Sequence, residues 1–467
     1  MKVKYLRKQC LEQVLAQCSG KAGALKKEMS LFDLVLLGLG AIVGTGVFIL
    51  TTKSSIEAGP GVVFAFLVAA VACILAALAF AEFASMVPVA GSVYKYTYIT
   101  MGEVFAWMIG WTLMLEFIVG AASVAVGWSK AIQDLLALYN ISLPQALCSA
   151  PGIIPGSYFN LPACVVVFLI AALLWVGVRQ SKKANNVMAV IKVALILIFI
   201  FACFGSIKVY NFTPTLPMGV GGVFTAAATL FFAYVGFDLV ASAAEETKNP
   251  RTALPRAIML SVGITTVLYI LFALVATGVV PWKVFLEHKD MMAVTLATQL
   301  TGKWLIGLII TMGLVVGLAA GVLANTYSQI RLLFCMARDG LLPQCFCALH
   351  KKHATPMHAT WIAAIVIGVL AGLVDLNILA DAYSLSTLFA FAFVSLGVII
   401  LRAQQPNLPR PFRAPLVPWL PILGILINLY LMSRVQVLSS WLVFLGWMVI
   451  GVPIYFLYSC KHSKLGN

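Results

Sequence analysis

The chain has 467 residues, of which 62% are hydrophobic and 10% are charged, and its formal net charge is +15. No soluble globular domain has this composition, so the sequence predicts a membrane protein. Apolar stretches of about twenty residues recur along the whole length, which excludes an outer-membrane barrel because barrel strands are short and alternate in polarity. No P-loop, GxSxG or HExxH motif is present, so we expect neither an ATP-driven pump nor an enzyme.

The apolar stretches predict an all-α polytopic fold with twelve transmembrane helices. Their expected positions are 33–52, 61–86, 104–127, 160–178, 185–206, 221–246, 257–280, 304–334, 359–375, 379–401, 415–433 and 439–458. We therefore divide the chain into a polar N-terminal segment, a ten-helix core, and the last two helices with the C-terminus. These parts comprise residues 1–30, 31–402 and 403–467.

The basic residues are distributed unevenly between the predicted loops. When the N-terminus is placed in the cytoplasm, most of the 31 lysines and arginines fall in cytoplasmic loops and termini. This asymmetry follows the positive-inside rule and places both termini in the cytoplasm. The net charge is then a topology signal, so the expected surroundings are a lipid bilayer and no nucleic-acid partner is expected.

The first predicted helix contains a weak point. Residues 38–50 read GLGAIVGTGVFIL, and glycine costs roughly 1 kcal/mol relative to alanine inside a helix. Gly44, Thr45 and Gly46 would therefore allow a break near the bilayer midplane, where freed backbone groups are tolerated only against protein, water or a ligand. The alternative is a close contact between two helices through small residues. This segment alone does not decide between the two.

The sixth predicted helix has a similar pattern. Residues 231–238 read FFAYVGFD, with a glycine between aromatic residues and an acid. The first and sixth helices are five apart, and because five is odd, two five-helix repeats would be inserted in opposite orientations. Paired broken helices in an inverted repeat predict a transport site at the bilayer midplane.

Three ionisable residues lie well inside predicted helices, and a further acid, Glu82, lies near the inner end of the second helix. Lys192 lies in the fifth helix, Glu116 in the third and Asp238 in the sixth. A charge at membrane depth is costly and is usually functional. For Lys192 the alternative is snorkelling towards the cytoplasmic surface. Either acid would be able to pair with Lys192 or to relay protons.

The cysteines and histidines do not predict a metal site. Cys345 and Cys347 are too close in sequence for a standard zinc pair and have no matching second pair. We expect neither a metal nor a cofactor.

The sequence resembles the amino acid–polyamine–organocation superfamily of permeases, and within it the bacterial cationic amino acid transporter-like group. The resemblance covers nearly the whole chain. Its most specific segments are GLGAIVGTGVFIL, AEFASMVPVAGSVYKYTY, LEFIVGAASVAVGWS, FFAYVGFDLVASAAEETKNPRTALPRAI and RLLFCMARDGLLP. It implies the LeuT-type fold, a 5+5 inverted repeat with broken helices 1 and 6 and two further helices.

The resemblance also implies roles for individual residues. The substrate carboxylate would meet the backbone N–H groups of Gly44, Thr45 and Gly46. The substrate amino group would meet carbonyl groups in the two broken helices, at Ile42, Phe232, Ala233 and Val235. A gate over the substrate would be Phe232, Tyr234 or Phe237. Lys192 would occupy the place of sodium in sodium-coupled relatives, and Glu116 and Asp238 would shape substrate choice or proton movement. Asn325 in the eighth helix departs from the apolar residue expected there.

We therefore predict a secondary active transporter of an L-amino acid in the inner membrane. It would work by alternating access, without sodium and coupled to protons. The first alternative is an exchanger of amino acids or of an amino acid for a polyamine, and the second is a transport-dead nutrient sensor. The sequence leaves open whether a small membrane subunit accompanies the chain.

Overall fold

The computed structural model describes residues 7–8, 29–86, 92–137, 141–176, 182–244, 247–289, 291–348, 350 and 355–464. Within these ranges the regular structure is helical, and the extended pairing there is one parallel bridge between Met29 and Thr247. The predicted N-terminal segment 1–30 lies almost wholly outside the described residues.

We number the α-helices in chain order. They are α1 (Leu31–Ile42), α2 (Thr51–Ala58), α3 (Val62–Met86), α4 (Ser92–Thr100), α5 (Glu103–Ala137), α6 (Leu161–Val176), α7 (Lys182–Phe204), α8 (Gly219–Phe231), α9 (Asp238–Ser242), α10 (Pro250–Val279), α11 (Trp282–Glu287), α12 (Ala293–Leu300), α13 (Trp304–Arg338), α14 (Met357–Leu373), α15 (Leu376–Gln404), α16 (Trp419–Arg434), α17 (Leu438–Ile454) and α18 (Cys460–His462). A π-helical turn, Gly46–Leu50, leads into α2, and a second, Tyr455–Ser459, follows α17.

Length and composition identify the stretches of helix that are able to cross a membrane. Among the described residues eight are long and apolar enough: Gly46–Met86, Glu103–Ala137, Asn185–Phe204, Gly219–Ala241, Pro250–Val279, Trp304–Arg338, Leu376–Gln404 and Leu438–His462. Four shorter apolar helices accompany them: Leu31–Ile42, Leu161–Val176, Met357–Leu373 and Trp419–Arg434. The chain is thus an all-helical, multi-pass membrane protein. The short helices α4, α11 and α12 lie in connections for which the sequence predicted no helix.

Residues in the first turns of α1 and α10 stabilise the starts of these two helices. Ser30 and Asp33 form a capping box at the start of α1, with Ser30 N–H donating to Asp33 Oδ2 at 2.8 Å. Asn186 Nδ2 of α7 donates to the other oxygen of that carboxylate, at 2.8 Å. Pro250 occupies the first turn of α10, where its missing N–H costs no helical hydrogen bond.

Small residues bring the inner helices together. The helix α3, which packs along α10, carries buried alanines, including Ala65, Ala69, Ala72 and Ala76. Small side chains allow membrane helices to approach closely, since hydrophobic burial gives them little reason to associate in lipid. Large apolar side chains such as Phe201, with 77% of its surface exposed, point outward as a lipid-facing surface requires.

Buried polar contacts join α4 to the end of α13, and α3 to α15. Lys95 Nζ is 2.7 Å from Asp339 Oδ2, and the Tyr94 hydroxyl donates to the same oxygen at 2.7 Å. Burial, with the nearby Asp339 carboxylate as a second cause, raises the pKa of Tyr94 well above its ordinary value, so this hydroxyl remains a donor. At α3, the Glu82 carboxylate accepts two hydrogen bonds from Arg402, at 2.9 and 2.6 Å.

Candidate functional site

The first break lies between α1 and the π-helical turn that starts at Gly46. Val43 has extended backbone angles, φ −71° and ψ 112°, so the helix stops after Ile42. The N–H groups of Gly44 and Thr45 donate to no carbonyl among the described residues. A Cβ added to Gly44 would meet no atom within 4 Å, so this position borders open space. We call the N–H groups of Gly44, Thr45 and Gly46 the amide cradle.

The second break separates α8 from α9. Residues Phe232–Tyr234 form a 3₁₀ turn, and Val235 and Gly236 then leave the helical path. Gly236 has φ +130°, a backbone conformation that favours glycine. A Cβ there would lie 2.9 to 3.0 Å from backbone atoms of Ala41 and Ile42, so Gly236 also permits the close approach to the first break.

The two breaks cross in direct contact. Gly46 packs against Ala233 so closely that an added Cβ would overlap the Cα, Cβ and N of that residue. Gly236 packs in the same way on the last turn of α1. The structure therefore brings together the predicted binding residues Ile42, Gly44, Thr45, Gly46, Ala233 and Val235, which lie about 190 positions apart in the chain.

Tyr269 of α10 joins the two breaks, and the sequence reasoning missed it. Its buried hydroxyl lies 3.1 Å from the carbonyl oxygen of Ile42 and 3.0 Å from that of Ala233. Both carbonyls belong to turns where a helix stops, so both lack their ordinary helical partner. One hydroxyl proton is therefore shared between the acceptors left by the two breaks.

Lys192 caps the end of α1. Its Nζ donates to the carbonyl oxygen of Gly40 at 2.7 Å, and the side chain is 4% exposed. In a continuous helix the N–H of Gly44 would donate to this oxygen, but the break leaves it open. A cation at a helix C-terminus is also favoured by the helix dipole. Among the described residues, Lys192 forms no ion pair with a carboxylate, so neither Glu116 nor Asp238 pairs with it there.

Glu116 and Asp238 form a second buried feature, which we call the acid pair. Both residues are buried, Glu116 with 1% and Asp238 with 5% of its surface exposed. Glu116 Oε2 and Asp238 Oδ1 have no hydrogen-bond partner among the described residues.

The three aromatic residues that the resemblance offered as a gate occupy different surroundings. Phe232 is stacked at a tilt on Tyr383 of α15, with ring centroids 4.8 Å apart. Tyr234 is fully buried, and its hydroxyl donates to the Phe66 carbonyl at 3.1 Å. Phe237 is fully buried between the rings of Phe80 and Phe391. Phe232 thus contacts a ring that packs at Gly120 of α5.

Asn325 of α13 lies beside the same region. Its Nδ2 donates to the Gly321 carbonyl one turn earlier, at 3.0 Å. A Cβ added to Gly120 of α5 would be 2.9 Å from Asn325 Oδ1 and 2.5 Å from the Tyr383 ring. Gly120 thus forms a notch that holds Tyr383 next to Asn325. Neither Gly120 nor Tyr383 was singled out from the sequence.

An ion pair lies further along the same elements. Lys53 of α2 is 3.1 Å from Asp381 of α15 and 3.9 Å from Glu57, one turn along its own helix. The Thr229 hydroxyl of α8 donates to Glu57 at 3.2 Å. These contacts connect α2, which follows the first break, with α8, which precedes the second break, and with α15. Among the described residues, no three histidine, cysteine or acidic side chains are grouped as metal ligands would be.

Comparison with known proteins identifies the family of this chain. A profile of amino acid permeases matches residues 29–454. The chain is 46% identical over 475 residues to the branched-chain amino acid permease BcaP of Bacillus subtilis (strain 168), with 100% of both chains covered. It is 43% identical over 462 residues to the methylthioribose transporter of the same organism, with 99% of both covered.

A more distant relative is the cationic amino acid transporter 4 of Mus musculus, 35% identical over 395 residues, which cover 83% of this chain and 61% of that protein. Three observations indicate a membrane transporter: the helices able to cross a membrane, the matched profile and the relatives. The chain belongs to the amino acid permease family, within the amino acid–polyamine–organocation superfamily, and is an amino acid transporter rather than an enzyme.

Proposed function

We propose that this transporter carries a small neutral L-amino acid across the inner membrane by alternating access, coupled to protons and independent of sodium. The observation that carries the proposal is the crossing of the two breaks beside open space at Gly44. Backbone N–H groups without a carbonyl partner lie there, which membrane proteins tolerate only where protein, water or a ligand satisfies them.

The proposed architecture has twelve membrane crossings, ten of them in two inverted five-helix repeats of the LeuT type. Support comes from the eight long and four shorter apolar helices and from the position of the breaks in the first and sixth predicted crossings. The excess of lysine and arginine on one side of the predicted topology supports termini that face the cytoplasm.

The amide cradle would bind the substrate carboxylate. Unpaired N–H groups at the start of a helix attract an anion through hydrogen bonds and the helix dipole. The carbonyls of Ile42 and Ala233 would accept hydrogen bonds from the substrate ammonium, with those of Phe232 and Val235 nearby. Because both charged groups of the substrate would be bound by backbone atoms, the side chains around them are free to determine specificity.

A neutral substrate fits the apolar surroundings of the breaks. Val43 and Val47 are buried there, and the first of the relatives reported above is named a branched-chain amino acid permease. The acid pair favours a second candidate, a cationic amino acid or polyamine exchanger, since a substrate cation would give its unpartnered oxygens a partner.

Lys192 would supply the positive charge that a sodium ion supplies in sodium-coupled transporters. Its contact with the Gly40 carbonyl supports this role, because it places a cation at the last turn of α1, where the helix breaks. Coupling to protons would then require Lys192, Glu116 or Asp238 to change protonation during the cycle. Each is buried, so such a change would be felt strongly by its neighbours.

Uptake into proteoliposomes tests the proposal. Radiolabelled isoleucine, arginine and methylthioribose would be offered with an imposed proton gradient, an imposed sodium gradient, or neither, and protein-free liposomes would serve as the control. We expect isoleucine uptake driven by the proton gradient. Uptake driven by sodium alone would contradict the coupling, and uptake that requires a second amino acid inside would identify an exchanger.

A further inference from the structure

We propose that an apolar groove between α3, α8 and α16 holds the acyl chain of an anionic phospholipid whose headgroup is bound by Arg434. The groove has a volume of about 500 Å³ and is open at the surface. All three helices belong to the apolar stretches of the protein. The lining side chains are large and include Leu67 and Val71 of α3, Phe224 of α8, and Leu426, Tyr430 and Leu431 of α16. We call this surface the α16 groove.

Arg434 lies at one end of the α16 groove. It is the last residue of α16, one turn after Tyr430. Its Nη2 donates to the carbonyl oxygen of Gly221 at 3.0 Å and to the Thr225 hydroxyl at 3.2 Å, and these two residues lie on either side of Phe224 along α8. The rings of Phe224 and Tyr430 meet edge to face, with centroids 5.1 Å apart. The guanidinium group is therefore next to the point where these two lining rings meet.

The charge of Arg434 lacks a counter-ion in the part of the chain that the structure describes, since none of the ion pairs there includes it. Within those same ranges, its hydrogen bonds go through Nη2 alone and its buried Nε has no acceptor. The C-terminus of α16 also favours a cation, but a helix dipole supplies only about half a charge. A lipid phosphate would supply the missing charge, and the planar, multi-donor guanidinium suits a phosphate group.

The position of Arg434 along α16 corresponds to the depth of a lipid headgroup. The helix runs from Trp419 to Arg434, 16 residues, which is about 24 Å at 1.5 Å per residue. Its two ends therefore lie near the two boundaries of a hydrocarbon core about 30 Å thick. A phospholipid bound at Arg434 would extend its chain along α16 towards Leu426, about 12 Å deeper.

The lining favours an acyl chain over the helix of a partner protein. Membrane helices approach one another through small residues, whereas the described residues that line the groove are all large. On α3 the groove extends only from Leu67 to Val71, about 6 Å, which is a fraction of the length of a membrane-spanning helix. Because an acyl chain moves here from one apolar environment to another, we expect the headgroup to determine which phospholipid binds.

Lipid binding to the purified, delipidated protein, measured by native mass spectrometry, tests this. Dioleoyl phosphatidylglycerol and dioleoyl phosphatidylcholine have the same acyl chains and differ in net charge. The wild type should bind the first phosphatidylglycerol more tightly than the first phosphatidylcholine. Arg434→Gln should reduce this preference by about fivefold, the effect typical of one basic residue near a membrane surface. Arg434→Lys keeps the charge and should keep the preference.

Matched variants separate the charge from the packing of α16 on α8. Thr225→Val removes a hydrogen bond of Arg434 without removing its charge, and should keep the preference. Lys283→Gln, at an exposed cation of α11, controls for the loss of a positive charge elsewhere. Val71→Trp would fill the groove and should lower the binding of both lipids. Val267→Trp, at an exposed position of α10, is its control.

Three results would overturn the inference: equal affinity of the wild type for both lipids, an unchanged preference in Arg434→Gln, or unchanged lipid binding in Val71→Trp. An equal loss of preference in Lys283→Gln would also overturn it, because the effect would then belong to the net charge of the protein. A bound polypeptide or second copy that Val71→Trp releases would show that protein occupies the groove, with the same consequence. None of these measurements depends on the transported substrate, so the proposed function is tested separately.

Discussion

Replacing Gly46 by alanine would place a methyl group against the backbone of Ala233, at the point where the two broken helices cross. The added carbon would overlap three atoms of Ala233, two of them in the main chain. Main-chain atoms at a packed crossing do not rotate away as a flexible side chain does. The two segments must therefore separate for the methyl group to fit.

The expected size of the effect follows from overpacking. Inserting a methyl group into a well-packed interior costs about 1–3 kcal/mol. If binding requires the closed crossing, the affinity for substrate should fall by roughly fivefold to 140-fold, since each 1.4 kcal/mol is a factor of ten.

Gly44→Ala is the variant to compare with Gly46→Ala, because it adds the same methyl group in open space. A methyl group there meets no protein atom within 4 Å, so the fold should be unaffected. It would nevertheless occupy the open space beside the amide cradle. We expect a melting temperature equal to that of the wild type in the absence of substrate, together with an affinity lowered by at least about tenfold.

Both variants would be measured in detergent by thermal unfolding without substrate and by calorimetric titration with isoleucine. Gly263→Ala controls for a glycine replaced in open space. Wild-type affinity in Gly44→Ala would refute the cradle. Wild-type affinity and melting in Gly46→Ala would show that the two breaks do not need their close contact.

Three further perturbations test individual contacts. Tyr269→Phe removes the donor shared by two carbonyls at the breaks and should lower the free energy of unfolding by about 1–3 kcal/mol, measured by denaturation in detergent; no loss would mean that water replaces the hydroxyl. Lys192→Met should stop uptake into proteoliposomes whether or not sodium is present, and uptake at the wild-type rate would contradict its role at the end of α1. Lys53→Met should impair uptake because it leaves Asp381 buried without its cation, and exchanging the two residues should restore part of the activity if the ion pair itself is what matters.

Much of the fold could be predicted because the bilayer imposes simple rules. The apolar stretches predicted the helical, membrane-spanning class, and the break at Gly44 to Gly46 lies where the glycines indicated. Helix ends were less predictable. The third predicted span extends to Ala137, ten residues beyond the expected end at 127, because its last turns are polar and escape a hydropathy signal. The number of crossings, the inverted repeat and the binding role of the cradle remain predictions.

The candidate site shows where sequence reasoning stops. Gly46 and Gly236 were recognised as weak points, but their partners were not. Tyr269 was missed because a single tyrosine in an apolar helix carries no signal, and its two acceptors lie 227 and 36 residues away in the chain. Tyr383 was missed for the same reason, since the notch that holds it is on another helix.

The sequence by itself determined that the helices cross a membrane and that two of them break, because both follow from the cost of exposing polar backbone or of placing glycine in a helix. Only the tertiary structure decided how the broken ends are satisfied. A carbonyl freed at a break needs a donor, but any donor within reach will serve. That Lys192 reaches Gly40, and Tyr269 reaches Ile42, depends on how the helices pack, which no local pattern encodes.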